Sequence, residues 1–152
     1  MSKNKLPVVE KQFEYKGRDC ICVFNRLGFR CGYVSVSEKD KGFKVVEKQF
    51  FDRKHIELEY DDFDIDCHGG LTYGNKIPKE LNPKGNYYIG FDCGHWGDGQ
   101  DLMQAYDYGL IDKEDYQLLK DSCLSNSGDY VIQLADVIQE CKKVVGQLEG
   151  KC

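Results

Sequence analysis

Apolar and polar side chains alternate along the first quarter of the chain, with the period of two that is typical of half-buried β-strands. The alternating segment 11–25 is rich in aromatic and β-branched residues and breaks at Lys16 and Gly17, so it predicts a β-hairpin. A third strand is predicted over 29–37 on the same grounds. The apolar segment 43–51 fits either a strand or a short helix.

The middle of the chain is more polar and contains two glycine-rich stretches. An acidic, alternating segment over 56–74 turns at Gly69 and Gly70. Two prolines and three lysines within 75–86 predict a surface loop. A strand is then predicted over 87–94, where tyrosine and isoleucine precede the glycines.

The C-terminal part of the chain changes to a helical period. Helix and turn alternate over 97–122, where Asp112 is a predicted N-cap. The segment 129–150 predicts an amphipathic helix of about five turns with Asp129 as its N-cap. Its apolar stripe consists of Val131, Leu134, Ala135, Ile138, Cys141, Val145 and Leu148. Together the elements predict an α+β fold, in which an antiparallel sheet packs against a long C-terminal amphipathic helix.

Chain length and charge narrow the classes of function. The 152 residues suit a single domain over 1–152, and the net charge of −5 argues against bulk nucleic acid as a partner, because duplex binders carry a basic face. A small anionic ligand stays compatible with this charge, because a few arginines and backbone N–H groups suffice to bind it. Without a long apolar run or a secretory signal, we expect a cytoplasmic protein with no membrane contact.

Eight cysteines are present, and we expect them to be reduced thiols in the cytosol. Cys20 and Cys22 would point the same way on a strand, so a zinc site that adds Cys31 and one further ligand is an alternative. Small buried hydrophobic side chains explain the cysteines more simply, and we favour that interpretation.

Two polar clusters contain the candidate chemistry, and each combines histidine, carboxylates and glycines. The glycines let the backbone approach a ligand closely and expose N–H groups. The first cluster is Asp64, Asp66, His68, Gly69, Gly70, Thr72 and Tyr73, and the second is Asp92, His95, Trp96, Asp98 and Asp101. Each cluster follows a predicted strand. If those strands are neighbours, their ends bring both histidines together with Asp66, Asp92 and Asp98.

Such a set of side chains suits a divalent metal, and a metal-bound water would make a hydrolase. The alternative is that His68 and His95 hold turns by hydrogen bonding, and we favour it because D-x-H and D-x-x-H are frequent spacings. The sequence contains neither H-E-x-x-H nor a G-x-S-x-G or phosphate-loop motif. We therefore assign no catalytic residue, no metal ligand and no cofactor.

The aromatic and arginine side chains indicate a site for a nucleotide-like molecule. Tyr33, Tyr73 and Trp96 offer faces on which a base stacks. Arg26 and Arg30 offer guanidinium forks for phosphate. Contacts to ribose or phosphate, direct or through the orientation of the turns, are expected from Asp66, His68, Thr72, Asp92, His95 and Asp98.

Three stretches resemble a family of small bacteriophage proteins of mostly unassigned function. They are RCGYVSV at 30–36, DCHGGLTYG at 66–74 and YIGFDCGHWGD at 88–98. Family members read CGYVGV, then DVHGGLTY, then GFDCAHxGD. The resemblance covers about residues 29–98 and not the C-terminal helix, and this chain departs from the pattern at Cys67 and Gly94.

The resemblance implies a phage protein that acts in the host cytosol, where phages use small proteins to bind host immune signals. By that analogy we expect a non-enzymatic anti-defence protein that sequesters a cyclic nucleotide or a cyclic ADP-ribose derivative. Two alternatives stay open, a metal-dependent phosphodiesterase for such a signal and an inhibitor that binds a host protein. A homo-oligomer, in which one pocket spans two copies, stays open as well.

Overall fold

The computed structural model describes residues 6–40, 65–71, 73–75, 80–81, 86–94, 98–121 and 130–150, with the side chains of 73 and 75 excepted. Among these residues, one sheet contains β1 (Val8–Tyr15), β2 (Arg18–Phe24), β3 (Arg30–Val36), β4 (Tyr73–Asn75) and β5 (Tyr87–Asp92). The helices are α1 (Leu102–Asp107), α2 (Lys113–Asp121) and α3 (Leu134–Glu149). The strand order is β1-β2-β3-β5-β4, and every pairing is antiparallel. The α+β prediction is confirmed, because α3 packs against β3 and β2.

The N-terminal hairpin forms where the alternating pattern predicts it. β1 and β2 pair up to a two-residue loop of Lys16 and Gly17, whose φ angles are 51° and 80°. Two successive residues with positive φ give a turn whose twist matches that of the strands it joins. β1 also contains a β-bulge at Glu10, because the pairing with β2 shifts register between Val9 and Lys11.

The main core lies between the sheet and α3. Alternate residues of β2, β3 and β5 face the helix, as the two-residue period of a strand requires. Gly32 marks the closest approach, since a Cβ there would lie 2.5 Å from the Phe91 ring and 2.9 Å from the Cys141 sulfur. The cluster on this side includes Cys20, Cys22, Val34, Val36, Ile89 and Phe91 from the sheet and Val137, Cys141, Val144, Val145 and Leu148 from α3.

Two smaller clusters complete the described core. The face of the sheet opposite α3 buries Ile21, Val23, Cys31 and Tyr88. At the end of β2, Phe24 packs against α1 and the turn after it, through Ala105, Leu110 and Ile111.

The described cysteines are buried free thiols, which confirms the packing interpretation for Cys20, Cys22, Cys31, Cys67, Cys93 and Cys141. Cys20 and Cys22 share the face of the sheet that meets α3, as their spacing predicts. Cys31 lies in the cluster on the opposite face. The three thiols of the zinc alternative are therefore not brought together on one side of the sheet.

The C-terminal helix begins later than its apolar pattern predicts. Its first residue is Leu134, and the backbone N–H of Gln133 donates to the Asp136 carboxylate at 3.0 Å, which fixes the start. The predicted N-cap Asp129 lies outside the described residues, and Val131 precedes the helix. The buried stripe includes two positions that the predicted stripe omits, Val137 and Val144.

The two shorter helices are capped by aspartates. The prediction of Asp112 as the N-cap of α2 is confirmed, since it accepts the Asp115 N–H at 2.7 Å. Asp101 caps α1 in the same way, accepting the Gln104 N–H at 3.0 Å. None of the helices that the structure describes is long and apolar enough to cross a membrane. The predicted element at 43–51 and the acidic segment up to residue 64 lie outside the described residues.

Candidate functional site

A tight turn positions the histidine of the first polar cluster. The Gly70 N–H donates to the Cys67 carbonyl at 2.9 Å, so His68 and Gly69 are the two central residues of the turn. Gly69 and Gly70 have φ angles of 68° and 80°, in the left-handed region that costs other residues about 1–2 kcal/mol. Backbone geometry therefore explains the two glycines that follow His68.

Side chains of α3 hold the segment that leads into this turn. The amide of Gln147 accepts the Asp66 N–H at 2.8 Å and donates to the Asp66 carbonyl at 2.7 Å. The carboxylate of Glu140 accepts the His68 N–H at 3.1 Å. Between these two residues, Cys67 is buried against the same helix. Side chains of α3 thus fix the first polar cluster in place.

The two polar clusters meet because their strands are neighbours. β4 pairs with β5 antiparallel, with Tyr73 opposite Gly90, so the residues before β4 and after β5 lie at the same end of the sheet. There, Nε2 of His68 lies 2.8 Å and 3.0 Å from the two carboxylate oxygens of Asp98. The structure thus brings together His68 and Asp98, as expected if the strands are neighbours. The first cluster precedes β4 and does not follow a described strand.

The His68–Asp98 pair is partly shielded from water. The Asp98 side chain is 10% exposed and the His68 side chain is 30% exposed. Because an ionised carboxylate can only accept hydrogen bonds, Nε2 of His68 carries the hydrogen that it shares with Asp98. In the neutral ring this contact favours the tautomer with the hydrogen on Nε2.

The β2–β3 loop, residues 25–29, is docked on the segment that follows Asp98. The Asp101 N–H donates to the Gly28 carbonyl at 2.8 Å, and the Gln100 amide donates to the Leu27 carbonyl at 3.0 Å. Gly28 has a φ of 88°, and a Cβ there would lie 2.9 Å from the Asp101 nitrogen. The loop that contains Arg26 is therefore held beside the segment that contains Asp98.

Two buried polar atoms occur at this junction. Nε of Arg26 and Oε1 of Gln100 have no hydrogen-bond partner among the described residues. An unsatisfied buried group typically costs ~1–3 kcal/mol, and such groups in a native protein often mark a bound water, ion or ligand. Arg26 is half-buried, so it remains a candidate for contact with an anion.

The guanidinium of Arg30 makes its hydrogen bonds within the protein, whereas a phosphate site requires free N–H groups. Its Nε donates to Glu10 at 2.6 Å, Nη2 donates to the second Glu10 oxygen at 3.3 Å, and Nη1 donates to the Ile132 carbonyl at 2.9 Å. The guanidinium also lies 5.0 Å from the centre of the Phe24 ring. All three nitrogens are engaged inside the protein, so we assign Arg30 to the fold.

The other described candidates make contacts of their own. Tyr33 lies across Gly90 on the face opposite α3, where a Cβ on that glycine would lie 2.6 Å from the tyrosine ring. Asp92, at the end of β5, accepts the Gly94 N–H at 3.0 Å. The Asp66 carboxylate is 89% exposed and lies 3.6 Å from Lys143. Thr72, His95, Trp96 and the side chain of Tyr73 lie outside the described residues.

Gly94 packs closely against an aromatic ring. A Cβ on Gly94 would lie 2.5 Å from the ring of Phe29, which belongs to the β2–β3 loop. A larger residue at position 94 therefore does not fit beneath this ring without movement. The same contact joins the third motif to the loop that contains Arg26.

The thiols near the candidate site are poor nucleophiles. Burial raises the pKa of Cys67 to about 11 and that of Cys31 to about 12, and it raises the pKa of Cys93 as well. These thiols stay protonated at neutral pH, and the thiolate is the reactive form. Within the described part of the chain, no three histidine, cysteine or carboxylate side chains are arranged to hold a metal ion.

Sequence reasoning missed three residues that shape the site, namely Glu140, Gln147 and Gln100. Glu140 and Gln147 are seven residues apart, which places them on one face of a helix. That spacing was visible in the sequence, but polar positions on an amphipathic helix are ordinarily interpreted as its solvent face. Gln100 gave no signal that distinguishes it from the polar residues around it.

Comparison of the chain with protein-family models, with curated proteins and with solved structures finds no match.

Proposed function

We propose that the protein binds and sequesters a small nucleotide-derived immune signal, either a cyclic nucleotide or a cyclic ADP-ribose derivative, without cleaving it. The observation that carries the proposal is the contact between the two glycine-rich motifs, made by His68 and Asp98 at 2.8 Å. Residues distant in the sequence thereby form one polar surface at the end of the sheet. The phage resemblance adds the context of anti-defence in the host cytosol.

Support for an anionic ligand comes from the loop that is docked on the segment after Asp98. The guanidinium of Arg26 lies in the docked β2–β3 loop, and its Nε has no hydrogen-bond partner among the described residues. Arginine forks are favoured for phosphate because two parallel N–H groups bind two oxygens. The imidazole of His68 lies at the end of the sheet where the two motifs meet, and its side chain is 30% exposed. We therefore assign phosphate to Arg26 and a ribose or phosphate contact to His68.

One observation favours the enzymatic alternative, a phosphodiesterase for the same kind of signal. An imidazole oriented by a buried carboxylate is the arrangement that general bases use. The same pair of His68 and Asp98 also suits a protein that binds without cleaving, because an oriented ring binds a ligand more tightly than a mobile one. The fate of the bound molecule separates these two functions.

The test is titration calorimetry against a panel of cyclic nucleotides and cyclic ADP-riboses, followed by heat release and chromatography of the bound molecule. We expect one panel member to bind with a Kd below about 10 μM, which is about −7 kcal/mol, and to be recovered unchanged. Recovery of a cleaved product would contradict sequestration and indicate that the protein is a phosphodiesterase. Absence of binding across the panel would remove the proposal and leave binding to a host protein as the alternative.

Two variants localise the binding to the proposed surface. Arg26→Ala removes the phosphate contact and should weaken binding at least about ten-fold, because charge-assisted hydrogen bonds contribute roughly 1.5–3 kcal/mol. The matched control is Lys39→Ala, which removes an exposed positive charge at the opposite end of β3. Equal losses in the two variants would indicate attraction by overall charge and would contradict the assignment of Arg26.

A further inference from the structure

We infer that Gln147 and Glu140 of α3 are positioning residues of the candidate site, which set the direction of the His68 imidazole by holding the backbone on either side of Cys67. That the direction of this ring matters for ligand binding rests on the proposed function. The inference about the ring itself rests only on the contacts of the helix.

The Gln147 amide acts on Asp66 as a neighbouring strand would. It donates to the Asp66 carbonyl at 2.7 Å and accepts the Asp66 N–H at 2.8 Å. One residue of a β-ladder exchanges this same pair of hydrogen bonds with its partner. The side chain therefore fixes both the position and the rotation of the Asp66 backbone, although the residue itself is exposed.

Glu140 completes the arrangement two helical turns before Gln147. Its carboxylate accepts the His68 N–H at 3.1 Å, and the Cys67 side chain between the two held residues is buried in the core under α3. His68 follows Cys67 as the first central residue of the turn, and its ring reaches the Asp98 carboxylate. The helix thus controls the ring through the main chain.

Loss of these contacts should change geometry more than stability. Asp66 is exposed, so in Gln147→Ala water can form hydrogen bonds with the Asp66 N–H and carbonyl in place of the lost amide. The segment would remain anchored by Cys67, but its rotation would no longer be fixed. A stability measurement alone is therefore a poor test, and the tautomer of the His68 ring is the appropriate readout.

The test is long-range proton–nitrogen correlation NMR of the histidine rings in the 15N-labelled full chain. The chain has only three histidines, so His68→Gln assigns the His68 signal directly. In the wild type we expect the tautomer with hydrogen on Nε2. Gln147→Ala and Glu140→Ala should shift that signal towards a mixture of tautomers, while Gln139→Ala, on an exposed glutamine of the same helix, should leave it unchanged.

A conservative variant separates positioning from general damage to the helix. Glu140→Gln retains an oxygen that accepts the His68 N–H, so its spectrum should match the wild type. Gln147→Glu retains the acceptor and loses the donor, so its shift should be intermediate, and this variant replaces Gln147→Ala if the latter does not fold. Ring signals that stay at wild-type positions in Glu140→Ala and in both Gln147 variants would overturn the inference.

Ligand titration then links the inference to the proposed function. Mutation of residues that orient a ligand-binding histidine costs metal sites roughly 10–100-fold in affinity, and we expect a loss of at least about ten-fold for Gln147→Ala. Shifted ring signals in a protein that binds none of the cyclic nucleotides would disprove the proposed function and leave the positioning role standing. Unshifted ring signals in variants that still bind the ligand would disprove the positioning role and leave the proposed function standing.

Discussion

Removal of the Glu10 carboxylate leaves the guanidinium of Arg30 unpaired inside the protein. The two side chains are 7% and 9% exposed, and the shortest distance between them is 2.6 Å. Truncation of one partner of a buried ion pair typically destabilises a protein by about 3–5 kcal/mol, because the remaining charge is desolvated without compensation. We therefore expect Glu10→Ala to lower the free energy of unfolding by that amount, a large part of the stability of an ordinary domain.

The assay is urea denaturation of Glu10→Ala, Arg30→Met and the double variant Glu10→Leu/Arg30→Met. Each single change should be strongly destabilising, whereas the double change should lie within about 2 kcal/mol of the wild type, because it removes both charges together. Lys11→Ala, an exposed change on the same strand, serves as the control. Single variants that cost less than about 1 kcal/mol would refute the structural assignment of Arg30 and return it to the phosphate candidates.

Three further results are expected. Gly70→Ala and Gly17→Ala should each lower the free energy of unfolding by about 1–2 kcal/mol in urea denaturation, since both glycines have a φ of 80° and open space for a Cβ. Only Gly70→Ala should also weaken ligand binding, because Gly70 belongs to the turn that positions His68. A loss of affinity in both variants would contradict this role of the turn. Gly32→Ala should cost about 1–3 kcal/mol, because its Cβ would lie 2.5 Å from the Phe91 ring of β5. A neutral effect would contradict the close contact between that ring and Gly32. Burial raises the pKa of the thiols of Cys20 and Cys31 from 9.0 to about 12, so the folded state retains protons that the unfolded chain releases. The free energy of unfolding should therefore fall as pH rises from about 9 to 12, by up to about 1.4 kcal/mol per pH unit for each thiol. Equal free energies of unfolding at pH 8 and pH 10 would contradict this prediction.

The elements of the fold could largely be predicted, because their signals are local. The period of two and the Lys16–Gly17 break predicted the N-terminal hairpin, and the aspartate before α2 predicted its start. The start of α3 was predicted wrongly because apolar residues continue before Leu134, and only the contact between Gln133 and Asp136 marks the boundary. Local spacing does not distinguish an apolar residue in a helix from one in the segment before it.

The candidate site could be predicted only as far as it depended on residue type. His68 and Asp98 stood out as polar residues beside glycines, but their contact depends on β4 and β5 being neighbours. Strand order is a property of the whole sheet, and no local pattern contains it. Arg30 was misjudged for the same reason, because its partner Glu10 is supplied by a different strand.

The β-bulge in β1 has a consequence for how the chain can change in length. Val8 pairs with Phe24 and Phe13 pairs with Cys20, and these two partners lie on the same face of β2. Val8 and Phe13 are five positions apart in the sequence, so an unbroken pleat would place them on opposite faces. The extra residue, Glu10, restores them to one face, where each reaches a different buried cluster. Deletion of Glu10 would place Val8 and Phe13 four positions apart, and an unbroken pleat would then keep both side chains on one face. The strand can therefore lose its bulge without reversing its faces, and the cost of that deletion is the loss of the ion pair with Arg30.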